Sequence, residues 1–250
     1  MLNLLRKTRQ KLLSENNFSK YLIYAIGEII LVVIGILIAL QIDNWNTDKQ
    51  EEKTLNGYLN TITKNIKADQ VNLKRITAFR DSSIVGSKFF MQMVAQEPID
   101  PDIASKYFSK YLRYSPILKE TFKSDLSGFE SLKSSGYLSK IQNKPIEQKL
   151  FNYYSLVAKI EYEETELNKL METMLYDCYK NNVIQELNKL RGKLMNNSNL
   201  KPAEFEKLEE NLRFPSFVAT NSRNRGAGYF ISLYSELLNI GDEILTEIEE

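Results

Sequence analysis

Residues Tyr21 to Ile42 read YLIYAIGEIILVVIGILIALQI, 22 residues with one charge among them, Glu28. As a helix rising about 1.5 Å per residue, this stretch would be roughly 33 Å long, enough to cross the hydrocarbon core of a bilayer. The rest of the chain is polar enough to fold in water. A signal peptide is the alternative reading, but its apolar core runs only about 7–15 residues and ends in small residues at the cleavage site. Here the run is longer, and Gln41 stands where a small residue would be needed. The expectation is therefore an uncleaved, single-pass anchor at 21–42, with a basic N-terminus at 1–20 and a separate domain at 43–250.

Charge sets the expected orientation. Arg6, Lys7, Arg9, Lys11 and Lys20 precede the span against Glu15 alone, whereas Lys49, Lys53 and Lys64 after it are mixed with Asp43, Asp48, Glu51 and Glu52. The positive-inside rule then puts residues 1–20 in the cytoplasm and residues from 43 onward outside it. Tyr21 and Tyr24 at one end and Trp45 at the other stand where an interfacial aromatic belt would be. Within the span, Ala25, Glu28, Val32, Gly35 and Ala39 follow three- and four-residue steps and so share one helix face. Gly35 and Ala39 form a small-xxx-small pair that lets a second helix approach closely. A carboxyl at this depth is costly unless protonated or partnered. Glu28 thus reads either as polar glue between helices or as an ion-path carboxyl. The expected partners are the lipid bilayer and either a second copy of the chain or another membrane helix.

Composition narrows the chemistry. The 250 residues contain no histidine and one cysteine, Cys178. An internal disulfide, CxxC sites and imidazole-based catalysis are excluded, including Ser-His-Asp and Cys-His triads. No metal or cofactor is expected. A net charge of +1 gives no reason to expect nucleic acid as a partner. Apolar residues at 43% and charged ones at 26% are ordinary for a folded protein.

Periodicity after the span is helical throughout. Leu55, Leu59, Ile62, Ile66, Leu73 and Ile76 recur in three- and four-residue steps, with Asp69 at one seam position, and predict one long helix over 44–96. EPIDPD at 97–102 breaks it, and Asp102 is positioned to cap a short helix carrying Ile103, Tyr107, Phe108 and Leu112. Ser115-Pro116 is a second break. Phe129 and Leu132 mark a short helix ended by Gly136, although Gly128 is an unexpected residue at its start. Asn143 and Pro145 open the best-patterned segment: Ile146, Leu150, Tyr153, Val157, Ile160, Glu164, Leu167, Met171, Met174 and Cys178. Val183, Leu187, Leu190 and Leu194 continue the stripe on a turned face. Residues 195–202 read as a loop, Pro202 to Arg213 as a helix and 216–228 as irregular. Phe230, Leu233, Leu237, Ile240, Ile244 and Ile248 mark a last helix. The expected class is all-α: a transmembrane helix followed by an antiparallel helical bundle.

Few residues suggest chemistry. Glu164 sits in the best seam, either as a functional carboxylate or as a residue that faces a wet end of the bundle or pairs with a Lys or Arg. The run Glu161, Glu163, Glu164 and Glu166 suggests a metal site by type, but di-metal bundles also need histidine, so it reads as a solvated acidic face. Arg223 and Arg225, ahead of Gly226 and Gly228, are candidates for contacting an anion. Tyr153, Tyr154, Tyr162, Tyr176 and Tyr179 are either core or the lining of a groove. Cys178 reads as a small, inert core residue.

Two stretches, Lys20–Asn46 (KYLIYAIGEIILVVIGILIALQIDNWN) and Gly128–Tyr154 (GFESLKSSGYLSKIQNKPIEQKLFNYY), resemble the signature regions of an uncharacterised bacterial family known only as a domain of unknown function. The resemblance implies a single-pass protein of the Gram-negative inner membrane with a helical, periplasmic outer region. It supplies no activity and no functional residues. The expected function is a non-enzymatic interaction or sensory module. The alternative is a subunit of an ion-driven or transport complex that uses Glu28.

Overall fold

A computed structural model describes residues 18–114, 120–196, 200–222 and 226–249. These residues form helices and no strand, as the periodicity predicts. Two compact units divide the chain at Gly57–Tyr58. Helix α1, Phe18–Val94, contributes residues to both.

In the first unit α1 carries the apolar stretch, and every residue from Ile29 to Gln50 is exposed. Leu31 is 72% accessible and Ile29 63%. This helix is long and apolar enough to cross a membrane. The basic N-terminal residues Arg6 to Lys11 lie outside the described residues.

In the second unit α1 buries the predicted stripe of Ile62, Ile66, Leu73 and Ile76, and continues it through Phe90 and Met93. Asn65, Asp69, Arg80, Ser83 and Ser87 are buried on the same helix. The end of α1 leaves carbonyl groups without helical partners. Arg213 fills that role, donating to Val94 O at 2.8 Å and Gln96 O at 2.5 Å. Glu209 accepts from the Ile99 amide beside it.

Helix α2 (Pro101–Lys106) is capped by Asp100, whose carboxylate accepts from the Asp102 and Ile103 amides. The cap thus lies two residues before the predicted Asp102, because Pro101 occupies the first helical position. The chain then widens into a π-helical turn, Tyr107–Tyr111, and tightens into a 3₁₀ turn, Leu112–Tyr114. Residues 115 and 116, the predicted break, lie outside the described residues. Helix α3 (Ser127–Ser134) follows, then a 3₁₀ turn over Tyr137–Ile141 entered through Gly136 at φ 80°. Helix α4 is the long seam helix, Pro145–Lys180. Its N-cap is Lys144, not Asn143, which instead adopts a left-handed turn (φ 62°) with its amide donated to Glu147.

Asn182, also left-handed, ends the seam, so the turned stripe is a separate helix, α5 (Val183–Met195). Helix α6 is Pro202–Leu212. The region read as irregular contains helix α7, Pro215–Ser222, in which Phe217, Thr220 and Asn221 are buried. The three stand at i, i+3 and i+4 on one face, but two of the side chains are polar, so apolar periodicity gave no signal. Helix α8 (Ala227–Glu249) buries Phe230, Leu233, Tyr234, Leu237 and Ile244. It packs along α4, which also contacts α7, while α5 packs on α6.

Gly128 has a steric reason for its place. A Cβ there would meet Asn65 Oδ1 at 2.7 Å and the Ile62 amide nitrogen at 2.9 Å. The Gly128 amide donates to Asn65 Oδ1 at 3.2 Å, so α3 starts in direct contact with the α1 backbone. Gly192, inside α5, has open space around its Cα. Gly128→Ala should destabilise the domain by about 1–3 kcal/mol through overpacking. Gly192→Ala should stabilise it by about 0.5–1 kcal/mol through helix propensity. Thermal unfolding of both variants checks the pair, and equal effects would contradict the close α1–α3 approach.

Candidate functional site

Three places in the fold concentrate polar chemistry. The first is a buried ion pair. Arg80 and Glu164 are 6% and 2% exposed, and Arg80 Nη2 lies 2.5 Å from Glu164 Oε1. The Tyr234 hydroxyl donates to the same carboxylate oxygen and accepts from Arg80 Nε at 2.9 Å. Glu164 Oε2 accepts the Phe122 amide at 2.8 Å, and Arg80 Nη2 also reaches Glu120 O at 3.2 Å. The guanidinium lies over the Phe230 ring, 4.6 Å from its centroid. Burial raises the Tyr234 hydroxyl pKa above its ordinary value, so the phenol stays protonated. Both carboxylate oxygens, the phenol and two of the guanidinium nitrogens have protein partners, which makes the cluster a structural joint. Glu164 therefore pairs with an arginine, one of the readings of its seam position. Arg80 carried no signal in the sequence, because a charge on a long helix reads as exposed.

The second place surrounds Asp69, 4% exposed, which accepts from the hydroxyls of Ser124 and Tyr153. Desolvation raises its pKa, and the two hydroxyl bonds oppose that rise. The Asp125 backbone amide also bonds Asp69, and Asn65 donates to the Asp125 carboxylate at 2.8 Å. Tyr154 stacks on Phe129 at 4.2 Å. Of the predicted tyrosine group, Tyr153 and Tyr154 are thus core, while Tyr162 and Tyr176 are exposed. Cys178 is fully buried, and burial pushes its thiol up to about 11, which leaves it un-ionised and inert.

The third place is a cleft of about 400 Å³. Phe108, Leu187 and Phe217, all nearly fully buried, make its floor. Leu112, Ile184 and Tyr179 wall it, and Arg113 and Arg191 stand at its rim. The π-turn forms one side: the Leu112 amide bonds back to Tyr107 O, an i→i+5 step, and Phe108, Ser109 and Leu112 line the cleft from this segment. Tyr179 is the one predicted groove tyrosine that lines it.

Ala25, Glu28, Gly35 and Ala39 lie on the first part of α1. Ala25 and Glu28 are half-exposed and the other two exposed, and a Cβ on Gly35 would meet nothing within 4 Å. Arg223 and Arg225 lie outside the described residues.

Removing one partner from a buried ion pair leaves an uncompensated charge, at a cost of about 3–5 kcal/mol. Arg80→Met alone should lower stability by that amount. Arg80→Met with Glu164→Leu should be markedly less destabilising than the sum of the single changes. Denaturant titration of the double-mutant cycle checks this, and additive effects would mean the two side chains do not interact.

The profile of a family of unknown function (DUF6090) matches residues 28–100, from the apolar part of α1 to the turn before α2. The second signature-like stretch, Gly128–Tyr154, falls outside the matched residues. Neither the curated proteins nor the solved structures contain a match to the chain.

Proposed function

We propose that this chain is a membrane-anchored interaction or sensory module, with residues 21–42 spanning the bacterial inner membrane. In this reading residues 1–20 are cytoplasmic, and residues 43–250 form an antiparallel helical bundle in the periplasm. The observation that carries the anchor is the uncovered apolar surface of α1: no residue from Ile29 to Ile42 is buried by the protein. A contiguous patch of that size is the mark of a surface made for lipid or for another helix. The charge step across the span gives the orientation.

Two features favour a binding role over catalysis. Glu164 and Asp69, the deeply buried carboxylates, are engaged by donors within the fold. The cleft beside the π-turn is lined by apolar groups, Ser109, Asn188 and two arginines, which can hold a ligand but supply no general base near neutral pH. The Ala25, Glu28, Gly35 and Ala39 face is where a second copy or a partner helix would pack, because small residues permit close approach and a partner removes Glu28 from hydrocarbon. Use of Glu28 as an ion-coupling group is the competing role for that face. Glu28→Gln would disable an ion-coupled subunit and leave an anchor working.

The reading predicts that the protein resists alkaline extraction from inner membranes. It also predicts that a reporter active only in the periplasm, fused after Glu250, is active. Activity of a cytoplasm-only reporter at the same position would reverse the orientation. Release of the protein by alkali would remove the anchor.

A further inference from the structure

We infer that the cleft between the π-turn, α5 and α7 binds a small carboxylate with an apolar body, and that this is the ligand the module senses. The inference takes the sensory reading one step further and rests on it only for the word "senses". Binding itself is tested without reference to membrane location.

Three observations converge. First, the cavity of about 400 Å³ lies within the range of small-molecule sites, and it is too small for a two-tailed lipid. Second, its interior is aromatic and aliphatic. The rings of Phe108, Phe217 and Tyr179 and the side chains of Leu112, Ile184 and Leu187 enclose an apolar body. Third, its charge has one sign. Arg113 and Arg191 border it beside the neutral Ser109 and Asn188, and no carboxylate lines it. Among the described residues Arg191 makes no hydrogen bond or ion pair, although it is half-buried. A partly desolvated guanidinium next to an apolar cavity favours a carboxylate, which it can grip with two parallel hydrogen bonds.

The backbone around the cleft departs from regular helix on two sides. The π-turn Tyr107–Tyr111 contributes Phe108 and Ser109, and the left-handed Asn182 sits between Tyr179 and Ile184. Departures of this kind concentrate at ligand sites, where they aim side chains that a regular helix would turn elsewhere. The ligand's body would lie over Phe217 and Leu187, with its carboxylate at the rim between the two arginines.

The probe is 2-naphthoate, titrated calorimetrically into full-length protein in phosphatidylcholine nanodiscs, with empty nanodiscs as the blank. Saturable binding is expected. The neutral 2-naphthamide and inorganic phosphate should each bind at least tenfold more weakly, one lacking the charge and the other the apolar body. Arg191→Gln should raise the dissociation constant at least tenfold. Ile184→Trp, which fills the cleft, should abolish binding, and circular dichroism should show unchanged helicity in both variants. If either variant loses its fold, the other decides. The proposal is overturned if wild type gives no heat beyond the blank, if naphthamide or phosphate binds as well as naphthoate, or if the folded variants bind like wild type. Such a failure would leave the anchor, tested by extraction and reporter activity, untouched.

Discussion

The Arg80–Glu164 pair is the interaction on which the arrangement of the second unit depends. Through Tyr234 and the Phe122 amide it connects α1, α4, α8 and the segment before α3 at one point. Burying two charges costs several kcal/mol per ion, and attraction offsets this only when the remaining hydrogen-bonding groups are also satisfied. Here both carboxylate oxygens and two guanidinium nitrogens have partners. The net stabilisation from such a joint is modest. Its main consequence is register: sliding α4 or α8 by one turn along α1 would strand a charge in the core, whereas an all-apolar seam would tolerate the slip. We regard this as the reason an apolar stripe as regular as that of α4 is interrupted at position 164.

The same logic runs along α1. Between Asn65 and Ser87 its buried face alternates apolar residues with polar ones, and Asn65, Asp69 and Arg80 each meet a specific partner. Gly128 lets α3 touch this face at backbone distance. Gly241 lets α8 lie close against side chains of this face, where a Cβ would lie 3.2 Å from Ile66 Cγ2. From Ile29 to Leu40 in the first unit the helix presents only apolar residues to its surroundings. One helix thus carries two surfaces of opposite design: one specified by polar pairing within the protein, the other by the absence of any protein cover.

Much of this was legible in the residues. The apolar run, the long seam from Ile146 to Cys178, the break at 97–102 and the stop at Gly136 all follow from local rules of length, period and turn chemistry. What escaped reading depends on contacts distant in sequence. Arg80 is 84 residues from Glu164, and nothing near it marks it as buried. Gly128 is explained only by Asn65 and Ile62 across the interface. Helix α7 escaped because Thr220 and Asn221 are buried polar residues, and Asn221 is held by the Tyr107 hydroxyl at 2.9 Å. The cleft escaped because its two arginines come from segments 78 positions apart and its shape depends on a π-turn, which has no composition of its own.

The central claim is that the buried pair holds the second unit together, and the Phe122 amide reports on it most directly. Phe122 belongs to no helix, and a loop amide would ordinarily exchange through local opening. If its hydrogen is held by Glu164, it should exchange only by global unfolding, as slowly as the amides of Val157 and Ile160 in the middle of α4. Residue-resolved hydrogen exchange on the full chain makes the comparison. Exchange of Phe122 at the rate of an open loop, with α4 fully protected, would contradict the account.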